Sequence, residues 1–425
     1  MGGMTFWGSV NIIPRRLEPN SRTKGEDNHN RNHSTRKREP HHLTQTRKIM
    51  RITLDSDTLS KNLQGLSRVI APKSSIAILD HFLFEVEGDK LTVTASDNEN
   101  VMKATADILE SDIDSGEPTR FCVHARLIAD FLKNLPVQPL TFVVEEKEIS
   151  VRYENGQICF PCVSGKEYPT MEMLTGDCTS ATLPSSMLQD DITRTSSFVA
   201  QDTMRPVLSA LCFNFKENGL DVVSCNGQVL MMDTHRGITL ENENRFLLPA
   251  KPAALLRYWT AKDLFDITIQ FNGNAARFSG ANWQLTCRLV EGRYPHYKAV
   301  IPVNNDKTLL IDKQQLQVAI RRMLPMGSQS LKAVRMDLDT KSVSLSCENV
   351  DYNTSAKESV ACDYSGEAMR IGLNGEQLNA ILSHMPSDQV KMTFKESCKP
   401  VLIFPAESSE DVRITALLMP VFIAE

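Results

Sequence analysis

Leu220-Asp221-Val222-Val223-Ser224-Cys225-Asn226-Gly227 has an earlier counterpart in Leu91-Thr92-Val93-Thr94-Ala95-Ser96-Asp97-Asn98. A weaker later copy reads Val343-Ser344-Leu345-Ser346-Cys347-Glu348-Asn349. The offsets are 129 and 123 residues, so the repeating unit is one small domain long, enough for its own core. Solenoid repeats are far shorter, roughly 20–50 residues.

Working outward from the first copy, Met50-Arg51-Ile52-Thr53-Leu54 alternates like a strand. Asp55-Ser56-Asp57 then offers helix caps. Leu59, Leu63, Leu66, Val69 and Ile70 follow at helical spacing before Pro72. Strand patterns cover His81–Glu87, Lys90–Ala95 and Val101–Ile108. A second helix spans His124–Leu135, stopped by Pro136, and strands follow at Leu140–Glu145, Glu148–Tyr153 and Gln157–Val163.

The second copy repeats this order, with helices over Ser185–Ala200 and from Pro249. The third has helices around Leu316–Met323 and over Gly375–Met385. Each copy also closes alike: Gly165-Lys166-Glu167-Tyr168-Pro169, Gly292-Arg293-Tyr294-Pro295 and Met419-Pro420. Helices on one face of antiparallel strands give an α+β fold of three layered domains. The expected bounds are 50–175, 176–301 and 302–425. Neighbouring domains are expected to extend one another's sheets, because an open edge strand invites unwanted pairing.

The net charge of −5 is uneven. Residues 1–49 carry ten Lys/Arg and four Asp/Glu, a balance of +6, which leaves −11 for residues 50–425. The first segment has too little apolar content to offset ordering entropy, so a disordered basic extension is expected there. It reads either as an arm that touches nucleic acid or as a non-native extension upstream of Met50. The second reading is favoured because a strand pattern begins directly after Met50. No apolar run approaches the roughly 18 residues of a membrane span, and residues 1–7 lack the pattern of a secretory signal. Ten scattered cysteines in a chain of 425 residues point to a reducing, cytoplasmic setting.

The chain holds no phosphate-binding Gly-x-x-x-x-Gly-Lys-Ser/Thr loop, no His-Glu-x-x-His and no Gly-x-Ser-x-Gly. Cys159-Phe160-Pro161-Cys162 is its one Cys-x-x-Cys. A structural zinc needs a second ligand pair at compatible spacing, and a redox pair favours a helix N-terminus. This pair lies in a strand pattern, so we expect no metal and no cofactor. Three domain copies without an enzyme motif point to a function carried by shape.

Leu289-Val290-Glu291-Gly292-Arg293-Tyr294-Pro295-His296-Tyr297-Lys298-Ala299-Val300-Ile301-Pro302 resembles the hallmark segment of the bacterial DNA sliding clamps, the beta subunits of DNA polymerase III. Tyr364–Asn374, the terminal Leu417-Leu418-Met419-Pro420-Val421 and the threefold repeat resemble that family too. The resemblance covers residue 50 to the C-terminus. It implies a head-to-tail homodimer that closes a ring of six domains, lined by helices and walled by continuous sheet. Such a ring would tether polymerase to double-stranded DNA without reading a base or breaking a bond. The implied partners are the polymerase III alpha subunit, the clamp loader and other clamp-binding repair and replication proteins. The competing expectation is a three-domain protein scaffold that binds no DNA.

A body of charge −11 is a poor general DNA binder, since affinity follows phosphate neutralisation. A ring retained by closure needs only weak attraction on its inner face. The helices and adjoining loops carry Lys61, Arg68, Lys73, Arg126, Lys133, Arg194, Arg205, Lys251, Arg257, Arg321 and Arg322. Any one of them also fits the solvated face of an amphipathic helix. Of the DNA-contact candidates Arg68, Lys73, Arg126, Arg194, Arg205 and Lys251, the family resemblance singles out Lys73 and Arg205, with Lys251 at a similar helix start.

The resemblance also implies a pocket for short partner peptides with an apolar end and a glutamine. Its walls would be Leu208, Gly227, Leu230, Pro295, Val300, Leu331, Asn374, Leu417, Leu418, Met419 and Pro420. Cys225, Gln228, Val229, Ala299, Gln377, Cys398 and Pro400 fall at further pocket positions. Departures stand out. Gln228-Val229 replaces the family's usual His-Arg, Ala299 replaces a basic residue, and Gln377 replaces a tyrosine. Phe422–Glu425 runs slightly past the usual end.

Overall fold

The computed structural model describes residues 50–112, 119–169, 172–202, 204–328 and 330–423. The basic segment 1–49 and its expected disorder lie outside them.

The first copy folds as β1 (Met50–Asp55), α1 (Ser56–Leu66), β2 (His81–Glu87), β3 (Lys90–Ser96), β4 (Asn100–Asp107), β5 (Glu110–Ser111), β6 (Thr119–His124), α2 (Ala125–Lys133), β7 (Pro139–Val144), β8 (Glu148–Tyr153) and β9 (Gly156–Ser164). The second follows with β10 (Thr179–Pro184), α3 (Ser185–Thr195), β11 (Ala210–Lys216), β12 (Gly219–Cys225), β13 (Val229–Arg236), β14 (Asn244–Pro249), α4 (Ala250–Thr260), β15 (Asp266–Phe271), β16 (Ala275–Ser279) and β17 (Trp283–Arg288). The third has β18 (Lys307–Asp312), α5 (Lys313–Met323), β19 (Ala333–Asp339), β20 (Ser342–Asn349), β21 (Thr354–Ser365), β22 (Met369–Asn374), α6 (Gly375–Ser383), β23 (Gln389–Phe394), β24 (Val401–Pro405) and β25 (Val412–Leu418). The three repeated stretches are thus equivalent strands, β3, β12 and β20. The first two end in tight turns where Asn98 (φ 78°) and Gly227 (φ 92°) take the left-handed conformation.

Each domain is a strand–helix–three-strand unit used twice. Sequence patterning missed the strands that lead into the second helices, β6, β14 and β22. Each buries three residues in a row, Phe121–Val123, Phe246–Leu248 and Ile371–Leu373, so no alternation shows. Asp55 caps α1 by accepting from the Thr58 amide at 2.8 Å, and Asp312 caps α5 by accepting from Gln315 at 2.7 Å. The expected helix over 185–200 ends at Thr195 and tightens into a 3-10 turn, Ser196–Phe198.

The strands form two long antiparallel sheets. One runs β10-β15-β16-β17-β4-β3-β2-β6-β9-β8-β7-β1-β5. The other runs β14-β11-β12-β13-β25-β24-β23-β18-β21-β20-β19-β22. Both cross a domain boundary. β17 pairs with β4 from Trp283↔Ala104 to Cys287↔Asn100, and β13 pairs with β25 from Val229↔Leu418 to His235↔Val412. The same rule makes both junctions: the strand ending one domain's first half pairs with the strand ending the next domain's second half.

Helices pack in pairs inside each domain, α1 with α2, α3 with α4 and α5 with α6, and α1 also touches α4. One apolar cluster runs from Leu59 and Leu63 of α1 to Leu256 and Trp259 of α4, so the first two domains share a core. Leu59, Leu63, Phe82, Phe84, Phe213 and Phe278 in it are fully buried. Each such side chain contributes roughly 1.5–3 kcal/mol of apolar transfer energy.

Candidate functional site

Helix periodicity correctly puts Arg126, Lys133, Arg257, Arg321 and Arg322 at exposed helix positions. Lys73 is exposed in the loop after α1. Arg205 is exposed as well and pairs with Asp202 at 2.9 Å. Arg126 lies 3.7 Å from Asp130, with both side chains mostly in water, where such a pair is worth little.

Three other candidates have partners inside the protein. Lys251 pairs with Asp97 and donates to the Val69 carbonyl at 2.7 Å, both in the preceding domain. Arg68 stacks over Tyr258, 4.2 Å from the ring centre, across the same boundary. Arg194, expected as a cation facing DNA, is turned inward with its side chain 13% exposed. It donates to Asp233 at 2.7 Å and to Asp191 at 3.3 Å. Asp191 also bonds the His235 ring at 2.8 Å. Burial and the neighbouring Asp191 hold the Asp233 carboxyl well above the ordinary aspartate range. Helical spacing offers Asp191, three residues before Arg194, but not the other partners, which come from other elements.

On the sheet face away from the helices lies a second apolar surface. Alternation along β13 sends Val229 and Met231 to the helix-covered core but Leu230 and Met232 to the opposite face. β25 likewise sends Leu418 inward and Leu417 outward. Leu418, expected as a pocket wall, therefore packs in the third domain's core instead. Leu208, Leu230 and Leu417 cluster with Tyr294 and Tyr297, and Cys225 packs against them. Val300, Met419 and Leu331 are respectively 54%, 38% and 55% exposed. Pro295 and Gly227 are exposed too.

The terminal segment closes one side. Met419 donates its amide to the Gln228 carbonyl at 2.8 Å, Pro420 bridges to Leu373, and Val421 donates to Gly372 at 2.9 Å. Asn374 caps α6 by accepting from the Gln377 amide at 3.0 Å, and its side chain donates to the Leu331 carbonyl at 3.3 Å. Gln377 donates its side-chain amide to that of Gln228 at 2.5 Å. The candidates thus meet along one boundary, between the second and third domains. Cys398 and Pro400 lie just before β24, where Asn305 donates to the Pro400 carbonyl at 3.3 Å.

Models for the N-terminal, central and C-terminal domains of the DNA polymerase III beta subunit match residues 50–172, 182–296 and 298–422 in turn. The chain belongs to the DNA polymerase III beta subunit family. It is 26% identical to the beta sliding clamp of Pseudomonas aeruginosa over 368 residues, 86% of this chain and 98% of that protein. It is 24% identical to the beta sliding clamp of Escherichia coli K12 over 362 residues, 84% and 97% of the two. The solved Pseudomonas aeruginosa clamp bound to griselimycin superposes with a TM-score of 0.82 at 24% identity, covering 88% of this chain and all of that one. The beta subunit of Thermotoga maritima does so with a TM-score of 0.80 at 22% identity, over the same shares. The three α+β domains expected from the repeat, and the clamp fold implied by the resemblance, are therefore the observed ones.

Within this clamp fold, sequence reasoning missed what holds the Glu-Gly-Arg-Tyr-Pro segment in place. Tyr297, two residues past Pro295, reaches Asp221 on β12 and Asn214 on β11. The Tyr-Pro-x-Tyr spacing was the available signal. The Cys-x-x-Cys pair also finds its place: Phe160 is buried, Cys159 and Pro161 are exposed, and Cys162 is half-buried. In a strand, residues three apart point to opposite faces, so the two thiols of β9 do not converge.

Proposed function

We propose that this chain is a DNA polymerase processivity factor: two copies join head to tail into a ring of six domains around duplex DNA. It acts as an accessory subunit and makes or breaks no covalent bond. The observation that carries this reading is what the junction rule leaves over. β21 ends the first half of the third domain, and β9 ends the second half of the first. Along 354–361 and 156–161 neither has a neighbour on its outer side among the described residues. Pairing β9 with the partner's β21 repeats the two junctions already made inside the chain and removes both open edges.

The clamp domains are taken as 50–175, 176–301 and 302–425. Helices then face the hole, and the exposed Lys73, Arg126, Arg205, Lys133, Arg257 and Arg321 supply sequence-independent attraction to phosphates. Arg68 and Lys251 share that face while pinning the first domain to the second. The apolar bed around Leu208, Leu230 and Leu417 takes short partner peptides, apolar contacts giving affinity and a few polar groups giving orientation. Its users are the polymerase III alpha subunit, the clamp loader and other replication and repair proteins, in the cytoplasm.

The test is topological. The protein is loaded onto nicked circular DNA by its loader, and the DNA is then cut once. Retention on circles and release on linearisation are expected. Retention after cutting would refute tethering by closure.

A further inference from the structure

Two of the positions where this chain departs from what the family resemblance implies, Gln228 and Gln377, touch each other. Gln228 sits on the β12–β13 turn, with its amide donating to Asn226 Oδ1 at 3.0 Å. Gln377 sits in the first turn of α6, with its amide donating to Asn374 Oδ1 at 3.0 Å. An Asx turn fixes the backbone at Gln228 in the second domain, and the Asn374 cap of α6 fixes it at Gln377 in the third. Their side chains meet at 2.5 Å, Nε2 of Gln377 donating to Oε1 of Gln228.

We infer that Gln228 and Gln377 form a latch across the boundary between the second and third domains, which a partner peptide opens in order to seat. The inference rests on reading the apolar bed as the peptide pocket. The bond spans the gap between the hairpin turn and α6, beside the point where Met419 binds the Gln228 carbonyl at 2.8 Å. A segment that runs between the β12–β13 turn and the start of α6 has to part these two amides. Opening costs one solvent-exposed neutral hydrogen bond, a factor of about 2–10 in affinity. The latch carries no charge, so its opening is nearly independent of salt.

The test uses a fluorescent synthetic peptide with one glutamine followed by leucine and phenylalanine near its end. Its Kd is measured by anisotropy on the full chain and on Gln228→Ala, Gln377→Ala and the double variant, all checked by thermal melting. Either single variant should bind about 2–10 times more tightly, and the double variant no more tightly than the singles. Unchanged, weaker or additive effects in the alanine variants would overturn the latch alone. Failure of the wild-type chain to bind, or equal binding by Leu417→Asp, would overturn the pocket reading and the latch with it.

Discussion

Tyr297 donates its phenolic hydrogen to Asp221 across 2.7 Å while accepting from Asn214 at 2.9 Å. Asp221 is 1% exposed, also pairs with Lys216 and accepts from Thr234 at 2.9 Å. This bond docks the segment that carries Pro295 and Val300 onto the second domain. Burial, and then the bond to Asp221, push the tyrosine's pKa well above its ordinary value, so the phenol stays a donor at any physiological pH. Tyr297→Phe removes the bond and leaves Asn214 unpaired. The expected loss is about 1–3 kcal/mol of stability, read by urea denaturation, together with weaker peptide binding. Full stability with unchanged affinity would show that the segment is held by apolar packing alone.

Gly65 in α1 offers a test whose sign is informative. A methyl group there would collide with the rings of Trp259 and Tyr258 from α4. In an exposed helix, Gly→Ala gains about 1 kcal/mol. Here overpacking costs typically 1–3 kcal/mol, so Gly65→Ala should lower the melting temperature. A stabilised variant would mean that the shared core of the first two domains yields at this point.

Asp233 predicts a pH dependence. Its pKa is raised in the folded chain, chiefly by burial and then by Asp191. A raised pKa contributes stability that is fully present below the unfolded value, near pH 4, and is lost as pH rises toward the folded pKa. The side-chain amide of the Asp233→Asn variant cannot titrate, yet its oxygen can still accept from Arg194. Relative to wild type, the variant should therefore be more stable at pH 8 than at pH 4.5, with a slope of up to about 1.4 kcal/mol per pH unit within that window. Parallel stability curves across the range would place an ionised carboxylate at this position.

The terminal segment predicts a separation of functions. Met419, Pro420 and Val421 bond to Gln228, Leu373 and Gly372 but lie on neither β9 nor β21. Deleting 419–425 should abolish peptide binding, read by anisotropy, and leave the dimer intact, read by sedimentation. Unchanged peptide affinity would remove the terminus from the pocket.

The threefold repeat and the helical spacings were legible because burial imposes a period, and a period survives divergence. What a residue on that period touches is set by elements far away in the chain. Lys251 and Asp97 are 154 residues apart, and Arg194 and Asp233 are 39 apart. A basic residue on a helix face therefore reads the same whether it meets solvent or a carboxylate. Leu417 and Leu418 fail differently: alternation says they part company, but only the neighbouring sheet says which one reaches the outer face.

Strand β9 predicts how the ring is sealed. Cys162 sends its amide to the Lys147 carbonyl on the β8 side at 2.9 Å. Amide directions alternate along an antiparallel strand, so Gln157, Cys159 and Pro161 direct their backbone groups to the other side. Along 156–161 that side is open among the described residues. Pro161 lacks an amide hydrogen, yet at this position its absence breaks no bond inside the chain, which is where a strand proline is tolerated. Cys159→Pro should behave likewise in the monomer. If β9 pairs with the partner's β21, the same substitution removes an intersubunit bond at each of two seams. At about 0.5–1.5 kcal/mol per bond, the dimer should dissociate roughly 5- to 150-fold more readily in sedimentation equilibrium, while the monomer's melting temperature stays near wild type. A dimer of unchanged affinity would place the seam on another edge.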